Sequence, residues 1–141
     1  MIECSFVVLG IPRPQGSKRA LKNGIMVEQS KYVGTWRSTI ALKAGQEWKG
    51  RPLIETPCMI QMDFYFPRPN KHFGSGKNKD LLRDNAPYWY TSAPDLDKLQ
   101  RAVLDALKGV ILKDDRYVVD IEATKRYDSQ PALVLTIEST R

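Results

Sequence analysis

Two cysteines and one histidine are all that this chain of 141 residues offers of thiol and imidazole metal ligands. Cys4 and Cys58 lie far apart, each inside an apolar, strand-like run, where a thiol behaves as a small buried hydrophobe. Two cysteines cannot build a four-ligand zinc site by themselves, and nothing favours a disulfide over a reduced pair. The opening MIECSFVVLG lacks a basic n-region, and no apolar run is long enough for a signal peptide or a membrane span. The expected compartment is therefore the cytoplasm, with no membrane partner. Internal repeats and low-complexity tracts are also missing. What remains, with 42% hydrophobic and 27% charged residues, has the composition of one soluble globular domain large enough to bury a core.

The charge is basic and unevenly spread. Residues 1–56 hold 9 basic and 4 acidic side chains, residues 57–94 hold 5 and 3, and residues 95–141 hold 8 and 9. The formal net charge is +6. A positive surface beside an acidic focus suits a polyanion whose backbone approaches a metal-binding centre. A soluble protein that is merely basic fits the same numbers.

Hydrophobic pattern outlines the elements. Residues 2–11 read as a strand that ends at Pro12, and IPRPQGSKRALKNG follows as a strongly positive loop. Trp36, Ile40, Ala44 and Trp48 recur at near-helical spacing between Tyr32 and Trp48, which predicts an amphipathic helix with both tryptophans in the core. CMIQMDFYF at 58–66 alternates cleanly, as a strand does. The 28 residues 67–94 have no sustained period. Their Arg68, Lys71, Lys77, Lys79 and Arg83 make them a basic loop suited to gripping a polyanion. Residues 95–108 predict a second helix, with Leu96, Leu99, Val103, Ala106 and Leu107 on one stripe and Gly109 as its stop. Residues 117–127 and 133–139 read as strands of an antiparallel hairpin joined through DSQP. The expected fold is thus a single α/β domain over 1–141, with one mixed sheet and two main helices.

The stretch PDLDKLQRAVLDALKGVILKDDRYV, residues 94–118, gathers the carboxylates. Asp95 stands where a helix N-cap belongs, Asp97 falls in a first turn that favours acids, and Asp114–Asp115 fit a polar turn. A second reading takes them together. If Val110–Leu112 leads the chain back along the helix, Asp114 or Asp115 approaches Asp95 and Asp97. Three carboxylates at one point repel unless divalent cations neutralise them, and oxygen-only ligands suit Mg²⁺ or Mn²⁺. Metal-centred attack on a phosphodiester is the corresponding chemistry. Arg101, one turn after Asp97, either pairs with that carboxylate or stabilises charge on a phosphate oxygen.

The same stretch closely resembles the signature of the RusA family of Holliday junction resolvases, carried by phages and prophages. The pattern is Asp-Leu-Asp-x-Leu, a basic residue, Asp-Ala-Leu and, after a short gap, Asp-Asp. Fainter likeness extends to IPRPQGSKR and to the strands around Lys125. The resemblance implies a homodimeric, Mg²⁺-dependent endonuclease that nicks two opposed strands of a four-way junction symmetrically, in DNA recombination and repair. It implies essential acids at Asp95, Asp97 and Asp115. Asp105 and Asp114 also match the motif and read as supporting residues, Asp105 as a partner of Arg101 one turn away and Asp114 as an outer-shell or turn residue. Two positions depart from the family pattern. Arg101 replaces a lysine, which keeps the charge but removes proton transfer. Lys98 stands where an asparagine is usual.

Arg13, Lys18, Arg19, Lys98 and Lys125 are the candidate phosphate contacts, each with a solvated-surface reading beside it. His72 reads as an incidental exposed histidine. Trp89 and Tyr90 either stack on bases at an opened crossover or pack the loop onto the domain. The rival readings are a DNA-binding module without catalysis, and a metal nuclease for other branched DNA or RNA.

Overall fold

The computed structural model describes residues 1–16, 18–20, 26–28 and 32–140, those at 18–20 and 26–28 by backbone alone. Along the chain stand β1 (Ile2–Leu9), β2 (Lys18–Ala20), β3 (Met26–Glu28), α1 (Val33–Trp48), β4 (Cys58–Phe66), α2 (Leu96–Leu107), β5 (Val118–Tyr127) and β6 (Ala132–Ser139). Four strands make a mixed sheet in the order β1-β6-β4-β5, with only β4 and β5 parallel, while β2 and β3 form a separate two-stranded ribbon. Among the described residues, no helix is long and apolar enough to cross a membrane.

β4 dictates this order. Cys58, Ile60, Met62, Phe64 and Phe66 alternate onto one face and are all buried there. A strand this apolar is best protected inside a sheet, and β5 and β6 occupy both of its edges. The expected β5–β6 hairpin is therefore not formed: β4 lies between the two strands. The connection through residues 128–131 arches over the end of β4, where the Asp128 N–H donates to the Phe66 carbonyl at 3.0 Å. β5 suits the edge instead, since Val119, Asp120 and Glu122 are exposed.

Both helices pack on one face of the sheet, α1 against β1 and α2 toward β5, and they touch each other. Val33, Trp36, Ile40, Ala44 and Trp48 fill the α1 side, and Leu99, Ala102, Val103, Ala106 and Leu107 the α2 side. Arg51 fastens the end of α1 to β1. Its guanidinium lies 4.0 Å over the Trp48 ring and bonds Glu3 at 2.6 Å.

At the end of α2, Gly109 adopts φ 82, a left-handed conformation that side chains disfavour. The chain turns there, so that Ile111 and Leu112 plug the base of the core and Ile54 bonds Ile111 at 2.8 Å. Phe64, fully buried, is the side chain whose loss reads out this packing. Phe64→Ala is expected to cost about 3–5 kcal/mol in denaturant-induced unfolding.

Candidate active site

Asp95 holds the position before α2 in an extended conformation (φ −69, ψ 143), and its carboxylate makes no capping bond. Its main-chain carbonyl accepts from the Leu99 N–H and starts the helix, leaving the side chain unspent. Asp97 is exposed in the first turn. Among the described residues, Asp95, Asp97, Arg101 and Asp105 make no side-chain hydrogen bond or ion pair. The expected pairing of Arg101 with Asp97 or Asp105 is thus not formed, and Arg101 is an exposed, uncommitted cation.

Lys125 of β5 positions this end of the helix. Its ammonium donates to the carbonyls of Ser92 and Pro94, each at 2.8 Å, so the residue anticipated as a phosphate contact clamps the chain leading into Asp95. The Tyr90 hydroxyl adds a bond to the Ala93 carbonyl at 2.7 Å. From the other side, the Gln15 N–H donates to the Lys98 carbonyl at 2.9 Å, which docks the chain at Gln15 against the first turn of α2. Arg37 bonds the Gln15 side chain, and Arg13 lies 5.2 Å over the Tyr32 ring. The side chains of Lys18 and Arg19 lie outside the described residues, although both belong to β2. Lys98 is half-buried. Gln15, buried and bonded through both its main chain and its side chain, is a site-organising residue that sequence reasoning missed.

Asp114 and Asp115 stand at the other end of α2. Val110–Leu112 does not run back along the helix, because its apolar side chains are drawn into the core just below the helix end. Asp114 accepts from the Arg116 N–H at 3.0 Å and lies 3.7 Å from Lys108. The Arg116 bond above all holds its carboxyl below the ordinary range. Asp115 is half-buried, and its Oδ1 is fully enclosed without a hydrogen-bond partner. Burial, offset in part by Lys108 and reinforced by Asp105 and Asp114, pushes its carboxyl above the usual carboxylate range. A helix of 12 residues is about 18 Å long, so Asp115 is separated from Asp95 and Asp97 by most of that length. Among the described residues no three acids, histidines or cysteines stand close enough together to hold a metal ion.

The loop before α2 is ordered by aromatic packing. Tyr90 stacks on Phe66 with ring centroids 4.2 Å apart, which packs the loop onto the domain, whereas Trp89 remains 49% exposed. His72, expected to be exposed, is buried edge-on against Tyr127 at 5.2 Å. No hydrophobic period marks residues 67–94, so the sequence carries no signal for this burial.

An unspent Asp-x-Asp pair at a helix start, beside the docked Gln15, is where the family pattern places its acids. Residues 9–138 match the family Endodeoxyribonuclease RusA. The chain belongs to the RusA family. It is therefore an endonuclease, and the family implies Holliday junction resolution. A relative is the "Uncharacterized protein YqaN" of Bacillus subtilis (strain 168), 32% identical over 142 residues that cover 94% of this chain and 93% of that protein. RusA nucleases are typically metal-dependent, and the chemistry of the donors fits a hard cation: three carboxylates, one with an enclosed oxygen that has no partner. Their placement within one RusA chain does not fit, because the two ends of α2 keep them apart.

The enclosed Oδ1 makes Asp115 a burden on the metal-free fold. Asp115→Asn removes the unpaired charge and is expected to raise stability by about 1 kcal/mol in chelator. Chemical unfolding with and without added Mg²⁺ checks this, and a lower stability for the variant in chelator would contradict it.

Proposed function

We propose that this RusA chain acts as a homodimer that resolves four-way DNA junctions by paired, symmetric, Mg²⁺-dependent nicks. The observation that carries the reading is the free Asp95–Asp97 pair, held by Lys125 and flanked by the docked Gln15, in a chain of this family. Arg13 and Lys98 hold phosphates of the junction arms near that helix start, Lys18 and Arg19 are further phosphate contacts, and Arg101 stabilises charge on the phosphate under attack. Bound Mg²⁺ or Mn²⁺ would supply an activated water and neutralise developing charge. The two unpaired thiols suit action in the cytoplasm.

The separation of the acids gives the second copy a chemical task. Asp97, Arg101, Asp105 and Lys108 are all exposed and recur at helical spacing, with alternating sign. Such a stripe is complementary to itself when two copies of α2 run antiparallel: Asp97 faces Lys108, and Arg101 faces Asp105. That pairing sets the N-terminal acids of one copy against the helix end of the other, where Asp115 stands. Two such sites related by a two-fold axis match the two equivalent strands of a four-way junction.

Cleavage of an end-labelled synthetic junction in Mg²⁺, beside linear duplex, tests the activity. Asp97→Asn is expected to reduce nicking at least about a hundredfold while junction binding persists. Binding without nicking by the parent would leave a DNA-binding module, and preferential cleavage of flaps or RNA would redirect the substrate. Mixing tests the shared site. Asp97→Asn and Asp115→Asn, each inactive alone, are expected to regain single nicks when co-refolded, because each heterodimer then contains one complete set of acids. Continued inactivity of the mixture would place the three acids within one chain.

A further inference from the structure

Arg68, Lys71, His72, Tyr90 and Tyr127 surround a cavity of about 520 Å³ on the side of the 67–94 loop that leads into Asp95. Among the described residues, no carboxylate lines it. Two aromatic rings form its corner, Tyr90 and Tyr127, whose centroids are 5.2 Å apart at 63°. Arg68 braces the corner: its guanidinium lies 4.3 Å over Tyr127 and donates to the Pro87 carbonyl at 2.7 Å, so it joins the start of the loop, its later part and the last residue of β5. Lys71 is exposed at the rim, with no ion pair among the described residues. Burial, with Arg68 and Lys71 adding to it, pulls His72 below its ordinary range.

We infer that this cavity receives one nucleotide displaced from the stack at the junction's branch point, its base against Tyr90 and Tyr127 and its phosphate at Lys71. The inference rests on the junction-nuclease reading and extends it to a site apart from the acids. Size supports a single nucleotide, since 520 Å³ lies in the range of small-ligand pockets and excludes a duplex. Chemistry supports it too. Aromatic rings take a base of any sequence by its flat face, while a cationic rim without acids suits the attached phosphate. Position supplies the third argument. The wall carrying Tyr90 and Ser92 is held by the same Lys125 that bonds the Pro94 carbonyl, and Lys125 also lies 5.3 Å from the Tyr90 ring centroid. A nucleotide seated there is mechanically tied to Asp95, the residue after Pro94. Branch points favour the exchange, because a nucleotide at the crossover has lost continuous stacking and is cheaper to extrude than one within a duplex. Arg68 and the Phe66–Tyr90 stack keep the corner formed before DNA arrives.

The test needs binding only. Junctions carrying 5-iodouracil at the branch point are irradiated with the full chain in chelator, and the crosslinked peptide is mapped. Crosslinks are expected at Tyr90 or Tyr127, and linear duplex of the same sequence should give at most a tenth of the yield. In parallel, Tyr127→Leu is expected to weaken junction binding about tenfold, and by less than about twofold when the branch-point nucleotide is abasic. Lys71→Ala, at an exposed position that cannot disturb the fold, should show the same dependence on that nucleotide with a smaller loss. Crosslinks confined to Trp89 or to the N-terminal loop would overturn the proposal, as would equal losses on intact and abasic junctions. Crosslinking at the two tyrosines by a protein that never nicks would keep the cavity and sink the resolvase reading.

Discussion

Cys58, Ile60, Met62, Phe64 and Phe66 must leave water together, because they stand on one face of one strand. Covering that face takes both helices, and protecting the strand's main chain takes a neighbour on each side. The remaining geometry follows. β5 and β6 are held apart by β4, α2 crosses back over the sheet, and the β5 edge brings Lys125 beneath the start of α2. The acids at that helix start are therefore placed by a hydrophobic requirement met elsewhere in the sheet.

Electrostatics then divides α2 by its two ends. At the N-terminal end the carboxylates are exposed and, among the described residues, unpaired, next to the docked Gln15. At the C-terminal end one carboxylate is half enclosed and lacks a partner for Oδ1. A charge left in that state is costly unless something outside the chain compensates it. On the dimer reading proposed above, a second copy and a cation between them would supply that compensation.

Much of this was readable beforehand where periodicity is strong. β4 was legible to the residue from its alternation, and α1 and α2 to within a residue at each end, because one apolar stripe fills each helix's share of the core. The Asp-x-Asp motif was legible as a pattern, but whether Asp95 spends its carboxylate on capping is decided by side-chain geometry that spacing does not encode. The supposed hairpin failed for a physical reason. A short polar connection looks the same whether it turns between neighbouring strands or arches over a third, and the difference lies in how strongly β4 competes for both edges. Residues 67–94 were opaque, since contacts such as Arg68 on Tyr127 or His72 against the same ring join positions far apart in sequence with no repeating pattern. Gln15 was hidden likewise: a single polar residue in a loop gives no sign that it will be buried against a helix.

The sheet order also governs when the fold can close during synthesis. β6, residues 132–139, is the last strand in the chain but an inner one in the sheet, bonded to β1 on one side and β4 on the other. Until it emerges from the ribosome, β1 has no neighbour in this sheet and β4 has only β5. Every long-range pairing of β1 must wait for more than a hundred residues of intervening chain. Such a topology closes late, and its open edges are exposed to other chains in the interval. The same order makes the C-terminal strand a poor place for a nascent-chain error. A fault there removes the seam that joins the two halves of the sheet.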